Sequence, residues 1–462
     1  MERRRGEGPG RSIRLGEQGG GTVKKFYLES YGCQMNVYDT QGLARTLEDH
    51  GYARVAAPED ADVVLVNTCS VREHAEERTL NRLAVLTRLK AKNPDLKVGV
   101  CGCMAQRMGA EIKKRIPRVD LIVGAQALPA VLPALQALER GESPGPVIEP
   151  LHHYLPPPRP RLDAKNLKGF VTIIRGCNKA CAYCIVPTTR GPEVSRHPDD
   201  IVMEVRELVL RGAKEITLLG QNVNSYGSAG VDFPELLARC GAVKGRWRLR
   251  FTTSHPRDMA PETVRRMARA ERLAPWLHLP VQSGSRRVLA DMNRDYTLEQ
   301  YELAIAAARE AIPGLAVTTD LIVGFPGETE ADFEETLALV ERLRYDTSYA
   351  FKYSPRSGTA AARRPDDVSG EEKQRRLARL LEVQRALSHE VNQAYVGRRL
   401  EVLIEGRHEK SGHGLSRTGQ NKIVVLPWSD GLAPGQFVDV LVDRAEGQTL
   451  YGAAVAAEAA AS

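Results

Sequence analysis

The sequence predicts an α/β protein in three parts: an N-terminal open parallel α/β sheet domain, a central six-stranded partial (β/α) barrel, and a C-terminal small OB-like antiparallel β-barrel. Three observations carry that expectation. Strand-like and helical segments alternate from residue 24 to 140 and again from 169 to 353, the pattern of parallel sheets with crossover helices. A proline-rich stretch separates the two series. After residue 395 the helical periodicity stops, and short strands divided by Gly and Pro take over.

At 462 residues the chain is too long for one ordinary core, so several domains are expected. A net charge of +7 rests on 65 Lys and Arg against 58 Asp and Glu, a mild excess that permits an acidic partner without requiring one. The 8 cysteines form no evenly spaced framework and no secretory signal precedes them. No apolar run approaches the roughly 18 residues that a membrane span needs. A cytoplasmic location with no membrane contact is expected, where thiols stay reduced and serve metals or catalysis.

Residues 1–22 are rich in Gly and Arg and are expected to be a disordered basic tail. A first domain over 23–140 follows: strands at 26–30, 62–67, 97–100 and 119–123 alternate with helices at 37–50, 73–92, 106–116 and 128–140. Residues 141–162 hold Ser143-Pro144-Gly145-Pro146 and Pro156-Pro157-Pro158-Arg159-Pro160 and read as a stiff linker. His152 and His153 lie in it and are given no role. The second domain, 163–394, has strands at 169–175, 215–219, 248–253, 276–281, 315–323 and 347–353. Six units fall short of the eight in a closed barrel. A charged amphipathic helix over 370–395 leads to the terminal barrel at 395–458, with strands at 399–405, 423–426, 436–442 and 450–455.

The chemistry gathers in two sets of cysteines. Cys177, Cys181 and Cys184 follow the first strand of the second domain in a Cys-x3-Cys-x2-Cys loop, and Gly176 supplies the freedom for a tight turn. A structural zinc site wants four protein ligands, whereas a 4Fe-4S cube held by three cysteines keeps one iron open. A zinc knuckle completed by a distant ligand such as His197, and a buried apolar trio, are the alternatives. The second set lies in the first domain: Cys33, Cys69 and Cys103 each come just past a strand. In an open parallel sheet the carboxyl ends of the strands share one crevice, so these three would converge there. Cys101 stands two residues before Cys103. Cys103 is taken as the ligand because it lies beyond a glycine, in the turn, while Cys240 reads as ordinary packing.

The Cys177 loop, with Tyr183 before its third cysteine, resembles the radical S-adenosylmethionine (SAM) superfamily. Tyr31-Gly32-Cys33-Gln34-Met35-Asn36, Asn67-Thr68-Cys69-Ser70-Val71-Arg72-Glu73, Gly176-Cys177-Asn178, Pro187-Thr188-Thr189-Arg190-Gly191 and Phe251-Thr252-Thr253-Ser254-His255-Pro256 resemble the methylthiotransferases. Their wording is similar to the branch that acts on N6-isopentenyladenosine beside the anticodon of tRNA. The likeness covers residues 24 to about 455.

That resemblance implies two 4Fe-4S clusters, one on Cys177, Cys181 and Cys184 that binds SAM at its open iron, and an auxiliary one on Cys33, Cys69 and Cys103 that carries sulfur. It implies a SAM cradle from strand-end loops: Gly220 and Gln221, where relatives often carry Gly-Gly-Glu, then Gln282 and Ser283, then Gly324 and Glu328. The terminal barrel is similar to a TRAM domain, which implies RNA binding, and Arg407, Lys410, Arg417 and Lys422 face only Glu409 within 407–422. The implied partners are isopentenylated tRNA, an electron donor such as flavodoxin or ferredoxin, and a sulfur source. A monomer is expected. The alternatives are a sister methylthiotransferase acting on threonylcarbamoyladenosine in tRNA or on a ribosomal protein, and a non-catalytic RNA-binding metal protein.

Overall fold

A computed structural model describes residues 23–69, 73–149 and 167–455. The basic tail and most of the proline-rich stretch, with His152 and His153, lie outside the described residues.

The first domain runs β1 (Lys25–Ser30), α1 (Gln34–Asp49), β2 (Ala53–Arg54), β3 (Val63–Thr68), α2 (Glu73–Arg88), β4 (Lys97–Gly102), α3 (Cys103–Arg115), β5 (Leu121–Gly124) and α4 (Val131–Glu139). Its sheet is parallel throughout, in the order β2-β1-β3-β4-β5. β3 is apolar on both faces because both are covered. Leu43 and Leu47 of α1 and Leu132 and Leu135 of α4 bury one side. Leu80, Leu83 and Leu86 of α2 and Ile112 of α3 bury the other. The strand order reverses between β1 and β3, so the crevice expected of such a sheet opens where Cys33 and Cys69 emerge.

The boundary expected at residue 140 moves. Val147 pairs in parallel with Val123, donating to Ile122 O at 2.9 Å and accepting from Gly124 N at 2.8 Å. The first part of the supposed linker therefore belongs to the sheet edge, because β5 would otherwise leave its outer backbone groups unpaired.

The second domain contains β6 (Lys168–Thr172), β7 (Ile174–Arg175), α5 (Val186–Arg190), β8 (Val194–Ser195), α6 (Pro198–Leu210), β9 (Glu215–Leu219), β10 (Gly227–Ser228), β11 (Val231–Asp232), α7 (Phe233–Gly241), β12 (Arg248–Thr252) and α8 (Pro261–Met267). It continues with β13 (Trp276–His278), α9 (Arg286–Asp291), α10 (Leu298–Ala311), β14 (Ala316–Val323), α11 (Glu330–Leu343), β15 (Thr347–Lys352) and α12 (Gly370–Gln393). Six strands form two parallel triplets, β6-β9-β12 and β13-β14-β15, with β13 only three residues long. Between the triplets Leu249 bonds Arg272 O and Ala274 N, both at 2.8 Å, just ahead of β13. The half-barrel is thus continuous but thinly stitched at its middle.

The third domain is a closed barrel of β16 (Arg399–Arg407), β17 (Gly414–Thr418), β18 (Ile423–Leu426), β19 (Phe437–Glu446) and β20 (Thr449–Ala454). It is antiparallel except for β18 and β20, which pair in parallel. Its β17 to β18 turn plugs the amino end of the half-barrel. Arg250 donates to Gly419 O at 2.8 Å and Thr418 O at 3.0 Å, and Lys422 meets Asp346, the residue before β15, at 2.7 Å. Arg248, which opens β12, donates to Arg417 O at 2.8 Å and Glu401 O at 3.0 Å.

Candidate iron-sulfur sites

Three strand ends bring Cys33, Cys69 and Cys103 together, and a polar network holds those ends. Asn36 donates to Thr68 O at 2.9 Å, Asn67 to Asn36 O at 3.0 Å and to Thr40 Oγ1 at 2.9 Å, and Thr68 to Cys101 O at 2.7 Å. Gly102 turns with φ +97°, and a Cβ there would come within 2.4 Å of Asn67 Oδ1. Only glycine permits that turn. It also separates the two neighbouring thiols. Cys101 ends inside the apolar layer of α1 and α4, where burial pushes its thiol up, while Cys103 opens α3 on the crevice side. The exposed Cys33 thiol is drawn down to about 6, chiefly by a hydrogen bond with Cys69, with the Arg190 charge and the Asn36 and Met35 N–H groups assisting.

Arg190 ends α5 of the second domain and reaches across into this crevice. Its Nε donates to Cys103 Sγ at 3.2 Å and its Nη1 to Asp39 Oδ2 at 2.8 Å. Asp39, on α1 and 1% exposed, also receives Arg175. Burial works against the Arg190 cation, and Cys103, Asp39 and Cys33 outweigh it, so the guanidinium stays charged.

Arg175 and Arg190 flank the other cysteine loop. Gly176 turns with φ +76°, and a Cβ there would lie 1.9 Å from Pro192 O, so this position too requires glycine. Cys177, Cys181 and Cys184 follow at the carboxyl end of the half-barrel. Burial pushes the Cys177 thiol up to about 11 and the Cys184 thiol to about 12, and each feels the Cys181 charge. Arg294, 4% exposed, donates to Cys181 Sγ and to Tyr183 Oη, both at 3.3 Å, and to Pro280 O at 2.8 Å. His255 Nε2 lies 3.8 Å from Cys181 Sγ. Burial and the Arg294, Lys179 and Arg257 charges hold its imidazole down at about 2, so it is neutral.

Among the described residues no three His, Cys, Asp or Glu side chains close on a point that would hold a single metal ion. A cube differs in its demand, since each thiolate binds a different iron and the three need not share a centre. Each set gathers three thiols with a guanidinium beside one of them that would offset thiolate charge. His197, the candidate fourth zinc ligand, instead caps α6, its Nδ1 accepting from Asp199 N at 3.4 Å.

Residues 171–340 match the Radical SAM superfamily, residues 25–124 the Uncharacterized protein family UPF0004, and residues 393–455 the TRAM domain. A Moorella thermoacetica protein named tRNA-2-methylthio-N(6)-dimethylallyladenosine synthase is 46% identical over 443 residues, 93% of this chain and 98% of that relative. One of the same name from a Thermoanaerobacter species is 44% identical over 447 residues, 95% and 94% of the two chains. The chain belongs to the tRNA-2-methylthio-N(6)-dimethylallyladenosine synthase family. Among solved structures, the radical SAM methyltransferase TsrM of Kitasatospora setae shares the fold, with a TM-score of 0.57 and 15% identity over 74% of this chain and 77% of that one. The cobalamin-dependent SAM radical enzyme OxsB does so with a TM-score of 0.54 and 13% identity, over 79% and 56%.

For a synthase of this family, the six loop residues expected to cradle SAM divide in two. Gln221 accepts from Gly176 N at 2.6 Å and so braces the cysteine loop, with Gly220 packed on Ile174 behind it. Gln282, four residues past β13 and bridged to Leu321, takes φ +77°, and Gly324 takes φ +71°. Ser283 is fully buried and bonds Thr336 Oγ1 at 3.3 Å, while Glu328 holds Gly324 N and meets Arg376 at 3.0 Å. Ser283 so shapes its own loop, whereas Glu328 keeps its Oε1 buried with no partner within the protein.

The four cations also separate. The stretch 407–422, expected as one loop, contains β17, so Arg417 lies on a strand and pairs with Glu405 at 3.1 Å. Lys422 is 8% exposed and bonds Asn392 and Asp346, which takes it away from any phosphate. Arg407 and Lys410 remain at the surface. Asp39, Arg175, Arg190 and Arg294 have no assigned role in the sequence reading. For Arg190 the signal was present, as an Arg-Gly pair a few residues past the cysteine loop.

Proposed function

We propose that this chain replaces the C2 hydrogen of N6-dimethylallyladenosine in tRNA with a methylthio group. The supporting observation is the pairing of two three-cysteine sets at the carboxyl ends of two adjoining parallel sheets, joined through Arg190 and Asp39. An aromatic C–H bond resists ordinary acid or base, and the reaction needs both hydrogen removal and a sulfur source. Two 4Fe-4S clusters and SAM, when bound, supply the one-electron chemistry and the sulfur.

The chain's own residues hold and enclose. Cys177, Cys181 and Cys184 would carry the cluster that leaves an iron for SAM, and Cys33, Cys69 and Cys103 the auxiliary one. Arg294 and His255 flank Cys181. Asn222 donates to Asp258 at 2.8 Å, and Asp258 pairs with Lys179 of the cysteine loop, fixing one wall. The buried Ser254 Oγ and Asn222 Oδ1 have no partner within the protein and are fit to meet polar groups of SAM. Gly220, Gln221, Gln282 and Gly324 would line the same cradle with backbone. Arg407 and Lys410 suit tRNA phosphates. A reduced flavodoxin or ferredoxin, a sulfur source, a monomeric state and the cytoplasm complete the reading, and no helix among the described residues is long and apolar enough to cross a membrane.

The test is anaerobic reconstitution with iron and sulfide, incubation with SAM, a strong reductant and dimethylallylated tRNA, then mass spectrometry of the nucleosides. A nucleoside heavier by one methylthio group in place of hydrogen is expected. Unmodified adenosine derivative with both clusters loaded would overturn the assignment.

A further inference from the structure

Arg190 is a residue of the central domain whose working end lies in the other domain's cysteine crevice. Its side chain is 4% exposed, and three of its nitrogens have different fates. Nε donates to Cys103 Sγ at 3.2 Å and Nη1 to Asp39 at 2.8 Å, but Nη2 is buried with no partner in the protein. In a planar guanidinium, Nε–H and one Nη2–H point the same way, along one edge. The unpaired donor therefore aims to the side on which Nε already meets a cysteine sulfur. A buried N–H without a partner costs about 1–3 kcal/mol, so such a group signals a ligand.

We propose that Arg190 is a positioning residue for the auxiliary cluster, donating through Nε to the Cys103 thiolate and through Nη2 to a second sulfur of the cluster or of the sulfur it carries. This rests on the reading of Cys33, Cys69 and Cys103 as cluster ligands. Asp39 keeps the guanidinium turned so that its edge, and not its tip, faces the sulfur. The arrangement places one fixed positive charge on a site where three thiolates and sulfides accumulate negative charge. It stabilises the reduced cluster relative to the oxidised one.

The test uses the full chain with Cys177, Cys181 and Cys184 each replaced by Ala, so that all cluster signal comes from the auxiliary site. Its reduction potential is titrated with EPR detection, without tRNA or turnover. Arg190→Gln should move the potential to more negative values, Arg190→Lys should move it less, and Asp39→Asn should move it the other way, since a negative charge is removed while the donor stays. Downward shifts of equal size in Arg190→Gln and Asp39→Asn would show that Arg190 is only half of an interdomain tie. No shift in Arg190→Gln would show that its edge does not meet the cluster, and either result overturns the proposal. If Arg190→Gln loads no cluster, the sign in Asp39→Asn decides: a rise supports the proposal and a fall or no change overturns it. No iron in the parent triple variant would overturn the ligand reading itself.

Discussion

The carboxylate of Asp39 and the guanidinium of Arg190 meet at 2.8 Å across the boundary of the first two domains, and Arg175 takes the other carboxylate oxygen. Removing the anion takes from two buried guanidiniums the carboxylate they share. Breaking one side of a buried ion pair costs about 3–5 kcal/mol. Asp39→Ala should therefore lower the thermal midpoint, while Asp39→Asn, which still accepts hydrogen bonds, should cost less. Equal stability in Asp39→Ala and wild type would show the domains are held by other contacts.

Cys101 and Cys103 give a sharp pair of variants. Reconstituted protein should carry about eight irons, two cubes of four. Cys103→Ala should fall to about half of that, whereas Cys101→Ala, whose side chain lies in the apolar layer, should keep its iron. Iron and sulfide analysis reads both, and the reverse result would exchange the two roles.

The two cysteine sets should fail in different ways. Replacing Cys177, Cys181 and Cys184 by Ala should abolish formation of 5'-deoxyadenosine from SAM. Replacing Cys33, Cys69 and Cys103 should leave SAM cleavage under a strong reductant but stop methylthio transfer. Circular dichroism must first show both folded, because cluster binding contributes to folding. Normal sulfur transfer by the second variant would remove the first-domain crevice from the mechanism.

His255 makes stability depend on pH. Its folded pKa, held at about 2, lies below the ordinary value near 6.5 of an unfolded chain. The unfolded state therefore binds a proton that the folded state refuses, and stability falls as pH drops below about 6.5. The slope for one such group is at most about 1.4 kcal/mol per pH unit. Metal-free His255→Gln should lose stability less steeply than wild type between pH 6.5 and 4.5, read by thermal melts. Parallel curves would mean the imidazole is protonated in place.

In the terminal barrel, Arg407 and Lys422 should separate under salt. A phosphate contact releases counterions, so Arg407→Ala should reduce the slope of log affinity for tRNA against log salt by about one. Lys422→Ala should leave that slope alone and instead cost on the order of 3 kcal/mol, since it removes the buried cation that pairs with half-buried Asp346 and leaves that carboxylate only the Val317 N–H. Filter binding at several salt concentrations decides.

What was legible from sequence followed local periodicity and spacing. The parallel units, the strand-end placement of six cysteines and the separation of Cys103 from Cys101 by a glycine are all local facts. What escaped depends on distant partners. Asp39 sits in a polar stretch of α1, and its two arginines lie 136 and 151 residues away. β17 escaped because Gly414-Leu415-Ser416-Arg417-Thr418 carries one large apolar residue, and its buried positions are Gly414, Ser416 and Thr418, Ser416 donating to Val424 O at 2.8 Å. Lys422 looked like its cationic neighbours because nothing local reveals that Asp346 waits for it. The SAM loops were placed by strand ends, but whether Ser283 or Glu328 turns outward depends on Thr336 and Arg376, on other elements.

The turn from Thr418 to Lys422 stoppers one end of the half-barrel, and that sets a reach. The cysteine loop opens at the opposite end, a strand's length away, about 17–20 Å for five or six residues. An RNA gripped by the terminal barrel cannot thread through the centre to reach that loop. It must run along the outside and turn in from the far rim. Where tRNA phosphates bind at Arg407 and Lys410, as proposed above, recognition includes a measurement of distance: the arm between the gripped phosphates and the reacting base has to match the height of the barrel. A free nucleoside, or a hairpin too short to make the span, forfeits the grip even when its base fits.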